Sequence, residues 1–84
     1  MFKSTNEYNI AIYETLIYIR DNNSFPKVND KLDKIDLGDV LNLCYNHGYI
    51  DGVHIDKNAA GNYMYNGQPR ITYSGLKFIE NFKK

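Results

Sequence analysis

One stretch, residues 37–55, constrains the fold of this chain more than any other: LGDVLNLCYNHGYIDGVHI. Its apolar side chains recur at i, i+3, i+4 and i+7, and they are Leu37, Val40, Leu41 and Cys44. This spacing predicts an amphipathic helix over 37–47, since all four side chains would share one face. Gly48 suits the left-handed residue that commonly ends a helix, because it has no Cβ to clash there. A strand is expected to start at Tyr49.

An earlier helix is predicted over residues 6–20, with Ser4 or Thr5 as its N-cap. One face of it carries a regular apolar stripe of Tyr8, Ile12, Leu16 and Ile19. Further apolar side chains extend well beyond that stripe. A helix that is apolar around so much of its circumference is either central to the fold or covered by something else.

Between these two helices the sequence predicts an extended segment and a short helix. Pro26 disfavours helical geometry in the residue before it, so residues 25–28 are expected to be extended. A short second helix is expected from Asn29 or Asp30 to about Ile35, with Leu32 and Ile35 directed inward. Asp36 is then placed to cap the third helix.

The expected elements after Gly48 are three strands, over 49–55, 63–65 and 68–72, and a last helix that ends at about Phe82. Asn66-Gly67 is a strong two-residue turn signal between the second and third strands. Thr72 or Ser74 is placed to cap the last helix. No linker and no internal repeat interrupts the chain.

This order of elements predicts an α+β fold, a single winged helix-turn-helix domain over residues 1–84. It would have three N-terminal helices, a small antiparallel wing sheet and a C-terminal helix. A chain of 84 residues can bury one modest core.

The second half of the chain resembles the YjcQ-like family of small proteins from low-GC Gram-positive bacteria and their phages. The residues that carry the resemblance are Gly48-Tyr49-Ile50, Gly52-Val53-His54 and Ile71-Thr72-Tyr73-Ser74-Gly75-Leu76. With the first helix included, the similarity extends over nearly the whole chain. It implies a winged-helix fold, and it implies no established activity and no catalytic or DNA-contact residue.

Several classes of function find no support in the sequence. There is one cysteine, Cys44, whereas a structural zinc site usually needs more than one. Ser74 has neither the Gly-x-Ser-x-Gly context of a hydrolase nucleophile nor an obvious base. We therefore expect no enzyme, no metal and no cofactor. No apolar run reaches the ~20 residues that span a bilayer, and no signal pattern opens the chain, so a cytoplasmic protein without a membrane partner is expected.

The first functional interpretation is a small DNA-binding transcriptional regulator, encoded by a phage or prophage and acting as a dimer. With its apolar face turned inward, the third helix would present Asn42, Tyr45 and Asn46 to a DNA major groove. Asparagine pairs bidentately with adenine, which suits an AT-rich operator. Basic side chains that would hold phosphates lie beside this helix and in the wing, at Lys27, Lys31, Lys34, Lys57 and Arg70.

The charge balance weighs against that interpretation. Ten basic and ten acidic residues cancel, whereas small DNA-binding domains usually carry a positive excess. Residues 35–56 contain four aspartates and no Lys or Arg. Two of these, Asp36 and Asp39, would stand at the start of the third helix, where phosphate would approach.

The second interpretation is a protein-interaction module, such as a phage-encoded inhibitor or adaptor that binds a host protein. Aromatic residues are enriched at such interfaces. The candidate surface contains Ile10, Tyr13, Ile17, Leu43, Tyr45, Tyr63 and Tyr65. Its first-helix residues are also a candidate homodimer surface. Both interpretations remain open on the sequence.

Overall fold

The described part of the chain, residues 2–28 and 32–82 of a computed structural model, forms three helices and one β-hairpin. The elements are α1 (Thr5–Asn22), α2 (Lys34–Asn46), β1 (Ile50–Lys57), β2 (Tyr63–Ile71) and α3 (Tyr73–Phe82). None of these helices combines the length and the apolar character that crossing a bilayer requires.

The first helix, α1, begins at Thr5, one residue before the predicted start, and continues to Asn22, two residues past the predicted end. The Ser4 hydroxyl accepts the backbone N–H of Glu7 at 3.2 Å, which confirms Ser4 as the N-cap. The helix ends because Asn23 adopts the left-handed region, with φ of 52°, and donates its N–H to the Ile19 carbonyl at 2.8 Å. Asparagine is among the few residues that tolerate this conformation.

The second helix, α2, starts earlier than its apolar pattern suggests. The Asp33 carboxylate, not that of Asp36, caps it by accepting the Asp36 N–H at 2.8 Å. The prediction of Asp36 as the cap is therefore wrong, and this residue lies buried in the first turn instead.

The fold class predicted from the sequence is also wrong, because the described residues contain two helices before the sheet rather than three. Residues 29–31 of the expected short helix lie outside the described residues. Residues 32–33 are not helical, and Lys34 and Ile35 already belong to α2. Ile35, expected to point inward, is 55% exposed. The cap at Asp33 adds these positions to α2, which leaves no room for a separate helix that ends at Ile35.

The C-terminus of α2 forms a Schellman motif, as the glycine stop predicts. Gly48 has φ of 75° and donates its N–H to the Tyr45 carbonyl at 3.1 Å, and the Tyr49 N–H reaches the Cys44 carbonyl at 2.8 Å. These bonds satisfy carbonyls that a helix end would leave without partners. They also set the direction in which the chain enters β1.

The sheet contains two antiparallel strands, and the expected third strand is the second half of β2. The turn predicted at Asn66-Gly67 is wrong, since both residues pair within the ladder, Asn66 with His54 and Gly67 with Val53. The hairpin turns at 58–62 instead. There the Asn58 side-chain oxygen accepts the N–H groups of Ala60 and Asn62, both at 3.0 Å.

A β-bulge replaces the turn that Asn66-Gly67 suggested. Gln68 and Pro69 on β2 lie opposite Gly52 alone, so the register shifts between Asp51 and Val53. Pro69 has no N–H to give to a ladder, and a bulge is one of the few places where a strand accepts it. Its ring is fully buried.

One core joins the three helices to the hairpin, and its buried apolar members are Ala11, Ile12, Leu16, Ile19, Leu37, Val40, Leu41, Cys44, Ile50 and Ile79. The predicted inward face of α2 is confirmed, with each of its four members fully buried. Thr72 caps α3, as its hydroxyl accepts the Gly75 N–H at 3.1 Å. The same hydroxyl donates to the Gly48 carbonyl and so ties α3 to the end of α2.

Candidate functional site

An open groove of about 240 Å³ lies where α1, α2 and α3 meet. We call it the three-helix groove, and it is lined by Thr5, Tyr8, Asn9, Ile12, Leu43, His47, Tyr49 and Phe78. The first half of α1 forms one wall, and the end of α2 with the following turn forms the other. Phe78 of α3 contributes the third side. Most of this lining is apolar or aromatic.

Aromatic rings continue from the groove along the surface of the molecule. His47 stacks on Tyr49 with ring centroids 5.5 Å apart, and Tyr49 contacts Phe78 at 5.2 Å. Phe78 contacts Phe82 at 5.9 Å, and Phe82 stacks on Tyr13 of α1 at 4.6 Å. Three segments that are distant in sequence therefore form one continuous aromatic row.

Backbone contacts hold the rings of this row in place. The Thr72 N–H donates to the Tyr49 carbonyl at 3.0 Å, which fastens the turn after α2 to the start of α3. Gly75 sits directly against that same carbonyl, and a Cβ at Gly75 would collide with it. The absence of a side chain lets α3 approach closely, and this approach brings Phe78 to Tyr49.

A carboxylate outside the lining of the groove acts on Tyr8, one of the lining residues. Burial raises the pKa of the Tyr8 hydroxyl, and the nearby carboxylate of Asp39 raises this pKa further. Asp39 is half-buried on α2, one helical turn before Leu43. Among the residues that the structure describes, no Lys or Arg lines the groove. No Asp or Glu is among the lining residues either, so the groove is apolar rather than charged.

Two of the predicted DNA contacts, Asn42 and Lys57, both lie beside the side chain of Tyr63. Tyr63 of β2 packs on α2 at Gly38, where a built Cβ would lie 2.8 Å from the Tyr63 Cβ. Asn42 is half-buried beside it, and its Nδ2 lies 3.5 Å from the Tyr63 hydroxyl. The Lys57 ammonium stands 5.3 Å from the centre of the same ring. Asn42, the expected reader of bases, thus faces the hairpin.

The other predicted DNA contacts are scattered. The Arg70 guanidinium lies 3.3 Å from the Asp51 carboxylate, so its charge is balanced locally. Lys27, Lys34 and Asn46 are exposed, and Tyr45 is 46% exposed. Lys31 lies outside the described residues.

The predicted interface residues divide between two surfaces. Leu43 lines the three-helix groove, and Tyr13 belongs to the aromatic row beside it. On α1, Ile10 is 41% exposed and Ile17 is half-buried. Tyr65 lies elsewhere, against Phe25 at a centroid distance of 4.7 Å, and burial raises its pKa.

Of the eight residues that line the groove, sequence reasoning singled out only Leu43 and missed all four that carry rings, namely Tyr8, His47, Tyr49 and Phe78. Tyr8 is part of the inward stripe of α1, and Tyr49 follows the glycine stop. A structural role already explained each of these residues, so nothing in the sequence pointed to a place in a groove. The aromatic composition, 14% of the chain, was the available signal. It shows that rings are abundant without showing which of them meet.

The cysteine and histidines do not assemble into a metal site. Within the described ranges, no three His, Cys, Asp or Glu side chains converge on a point where a metal ion would bind. Cys44 is fully buried, and burial raises the pKa of its thiol to about 12. The thiol is therefore protonated at neutral pH.

Comparisons of the chain with protein-family models, with curated proteins and with solved structures gave no match. The resemblance to the YjcQ-like family stays a prediction from the sequence. The site must consequently be interpreted from its own geometry.

Proposed function

We propose that this protein is an interaction module that binds a segment of a partner protein in the three-helix groove. The observation that carries the proposal is the groove itself, an open apolar concavity with rings on its walls. Aromatic residues are enriched at protein interfaces and supply much of their binding energy. Here Tyr49 and Phe78 are already held by packing and backbone contacts, so little conformational entropy would be lost on binding.

The size of the groove favours a peptide segment over a cofactor. Its volume of about 240 Å³ is below the roughly 300–1,000 Å³ of typical small-molecule and cofactor pockets. It is partly open to solvent, which lets a chain enter and leave. We infer that one or two apolar side chains of a partner segment would fill it.

DNA binding is the weaker proposal. The exposed residues of α2 include Tyr45 and Asn46, and the single basic residue of this helix is Lys34 at its start. Asn42 is half-buried against Tyr63, which removes the residue best suited to adenine from free solvent. Phosphate contacts supply most of the affinity in DNA binding, and this surface offers few cations for them.

Selection of a displayed random 12-residue peptide library on the immobilised protein tests the proposal. We expect selected peptides to lose at least about tenfold in affinity for Asn9→Trp, because Asn9 is exposed on the groove wall and a bulky ring there would fill the concavity. Asn66→Trp is the matched control, since Asn66 is exposed on the hairpin and outside the lining. The control should retain the affinity.

Peptides that bind Asn9→Trp as well as they bind the unmodified protein would overturn the groove proposal, and so would a selection that yields no binder. A mobility shift on AT-rich duplexes at ~50 mM salt, where the phosphate contribution is strong, tests the weaker proposal in parallel. A shift that Lys34→Ala weakens on every sequence, and whose sequence preference Asn46→Ala relaxes, would favour DNA binding.

A further inference from the structure

A chemically labile pair of residues, Asn66-Gly67, lies inside the β-hairpin. Asparagine is thermolabile because the backbone nitrogen of the following residue can attack its side-chain carbonyl carbon. Glycine in the following position favours this attack most, since no Cβ shields the nitrogen. Of all the asparagines in this sequence, Asn66 alone is followed by glycine.

The fold requires glycine at position 67. Gly67 has φ of 106°, and a Cβ built on it would stand 2.5 Å from the Gly52 carbonyl oxygen. A side chain at this position would therefore strain the backbone and collide with β1. The same missing side chain that lets the strands approach beside the bulge leaves the Gly67 nitrogen open to attack.

Backbone pairing holds Asn66-Gly67 in an unreactive geometry. Asn66 pairs with His54 and Gly67 with Val53, so both residues belong to an extended strand. Ring closure requires the Asn66 Cβ and the Gly67 nitrogen on the same side of the Cα–C bond, and extended geometry keeps them apart. Because the Asn66 side chain is exposed, pairing and not burial protects it.

From this geometry we propose that Asn66 is a site of spontaneous deamidation that proceeds when the hairpin opens. In the opened strand, the Gly67 nitrogen bonds to the Asn66 Cγ, the bond from Cγ to the amide nitrogen breaks, and ammonia leaves with the Gly67 proton. Water then adds to either carbonyl of the cyclic succinimide. Depending on which carbonyl it attacks, residue 66 becomes aspartate or isoaspartate, and nothing is oxidised or reduced. The proposal is independent of the three-helix groove.

The products change the hairpin in two ways. Each of them adds one negative charge to a chain of zero formal net charge. The carboxylate of the aspartate form lies on the face of the sheet that carries Asp56, because His54 is opposite residue 66 and Asp56 is two positions further along β1. Isoaspartate also lengthens the backbone by one methylene before Gly67, which disturbs the register next to the bulge. Conversion therefore weakens the hairpin that had protected the site.

Peptide mapping by mass spectrometry after incubation at pH 8 in concentrated urea tests the chemistry. We expect conversion at Asn66 to exceed by about tenfold or more that at Asn58, the internal control, which Ala59 follows. Gly67→Ala should slow conversion at position 66 to a rate close to that of Asn58. Since the chain is unfolded in urea, this comparison holds whether or not Gly67→Ala folds. Equal conversion at Asn66 and Asn58 would overturn the proposal.

The same mapping without urea tests the protection by the hairpin. Asn66 in the folded protein should convert at least about tenfold more slowly than in urea, since conversion has to wait for local opening. Gly52→Ala, which strains the bulge beside Gly67, should raise the rate in the absence of urea by at least about threefold. Asn9→Trp on α1 is the control, and it should leave the rate within about twofold of the unmodified protein.

Two outcomes in the absence of urea would overturn the protective role of the ladder. One is a folded protein that converts at Asn66 as fast as the unfolded chain does. The other is a Gly52→Ala rate equal to that of the unmodified protein.

Discussion

The thiol of Cys44 lies fully buried in the last turns of α2, with a pKa raised to about 12 by desolvation. Cysteine is among the most buried residue types and packs as a small apolar side chain. The spacing of the α2 apolar residues placed this side chain on the inward face, and the structure confirms that position. Because folding buries this thiol and raises its pKa, the titration of Cys44 is coupled to the free energy of unfolding.

We expect the free energy of unfolding to fall as the pH rises from about 9 toward 12. Above the ordinary pKa of the thiol, the unfolded chain releases a proton that the folded chain retains, which favours unfolding by up to about 1.4 kcal/mol per pH unit. Below that ordinary pKa the contribution is fully present. Urea unfolding at pH 8, 9 and 10 measures the slope.

Cys44→Ala is the control for this titration, and its slope over the same pH range should be shallower. The comparison concerns slopes and not absolute stabilities, because the substitution also leaves a small cavity. Burial also raises the pKa of Tyr65, and it does so in both proteins. The pKa of Tyr8 is raised mainly by burial and then by Asp39, and both causes remain in Cys44→Ala. Equal slopes in the two proteins would contradict the expectation.

Helix capping shows the limit of residue-level prediction in this chain. Asp33 and Asp36 are both acidic and three positions apart, so each satisfies the rules for an N-cap. Ser4 was identified correctly as one of two candidates, whereas the choice of Asp36 over Asp33 was wrong. Local chemistry does not separate two equivalent caps, because the packing of the following helix decides which one is used.

At the scale of elements, the hairpin is the part that differs most from expectation. Asn66-Gly67 has a strong turn sequence, and yet Gly67, with φ of 106°, pairs with Val53 inside the ladder. Pro69 lies fully buried in the second half of the continuous β2, at the bulge. This arrangement includes a β-bulge, and position 52 in the bulge favours glycine because its φ is 78°.

We expect Gly52→Ala to lower the free energy of unfolding by about 2–4 kcal/mol. Gly52 has φ of 78°, which a side chain adopts with strain, and a Cβ there would stand 2.5 Å from the Gln68 carbonyl oxygen. Gly61→Ala is the matched control, since Gly61 has φ of 87° while its built Cβ meets no atom closer than 4.0 Å. It should cost only about 1–2 kcal/mol, from the backbone strain alone.

Chemical denaturation monitored by circular dichroism measures both glycine variants. Equal losses at Gly52 and Gly61 would show that the close approach across the bulge contributes nothing beyond the left-handed backbone.

At the scale of the whole molecule, Thr72 connects α2, the hairpin and α3. Its N–H bonds to the Tyr49 carbonyl, and its hydroxyl donates to the Gly48 carbonyl while accepting the Gly75 N–H. The end of one helix, the end of a strand and the start of another helix are thus fixed by one residue. The same junction positions the rings of the three-helix groove.

We expect Thr72→Val, which keeps the shape and removes the hydroxyl, to lower the free energy of unfolding by about 1–3 kcal/mol. Such a loss should lower Tm by roughly 4–8 °C per kcal/mol in a domain of this size. Thr72→Ser retains the hydroxyl and should cost less. A Thr72→Val variant as stable as the unmodified protein would contradict the expectation, because the hydroxyl and its hydrogen bonds would then contribute nothing to stability.

The sequence by itself determined features that depend on a few neighbouring residues, namely the inward face of α2 and the glycine that ends it. It narrowed the N-caps of α1 and α3 to two candidates each, of which the structure uses Ser4 and Thr72. Helical spacing and backbone freedom act over one or two turns, so a local pattern is enough to specify them. Only the tertiary structure decided the number of helices before the sheet, the register of the hairpin and the presence of the groove. These features depend either on a choice between equivalent local patterns or on contacts between segments that are distant in sequence. Packing around one shared core decides both, and a local pattern does not contain that information.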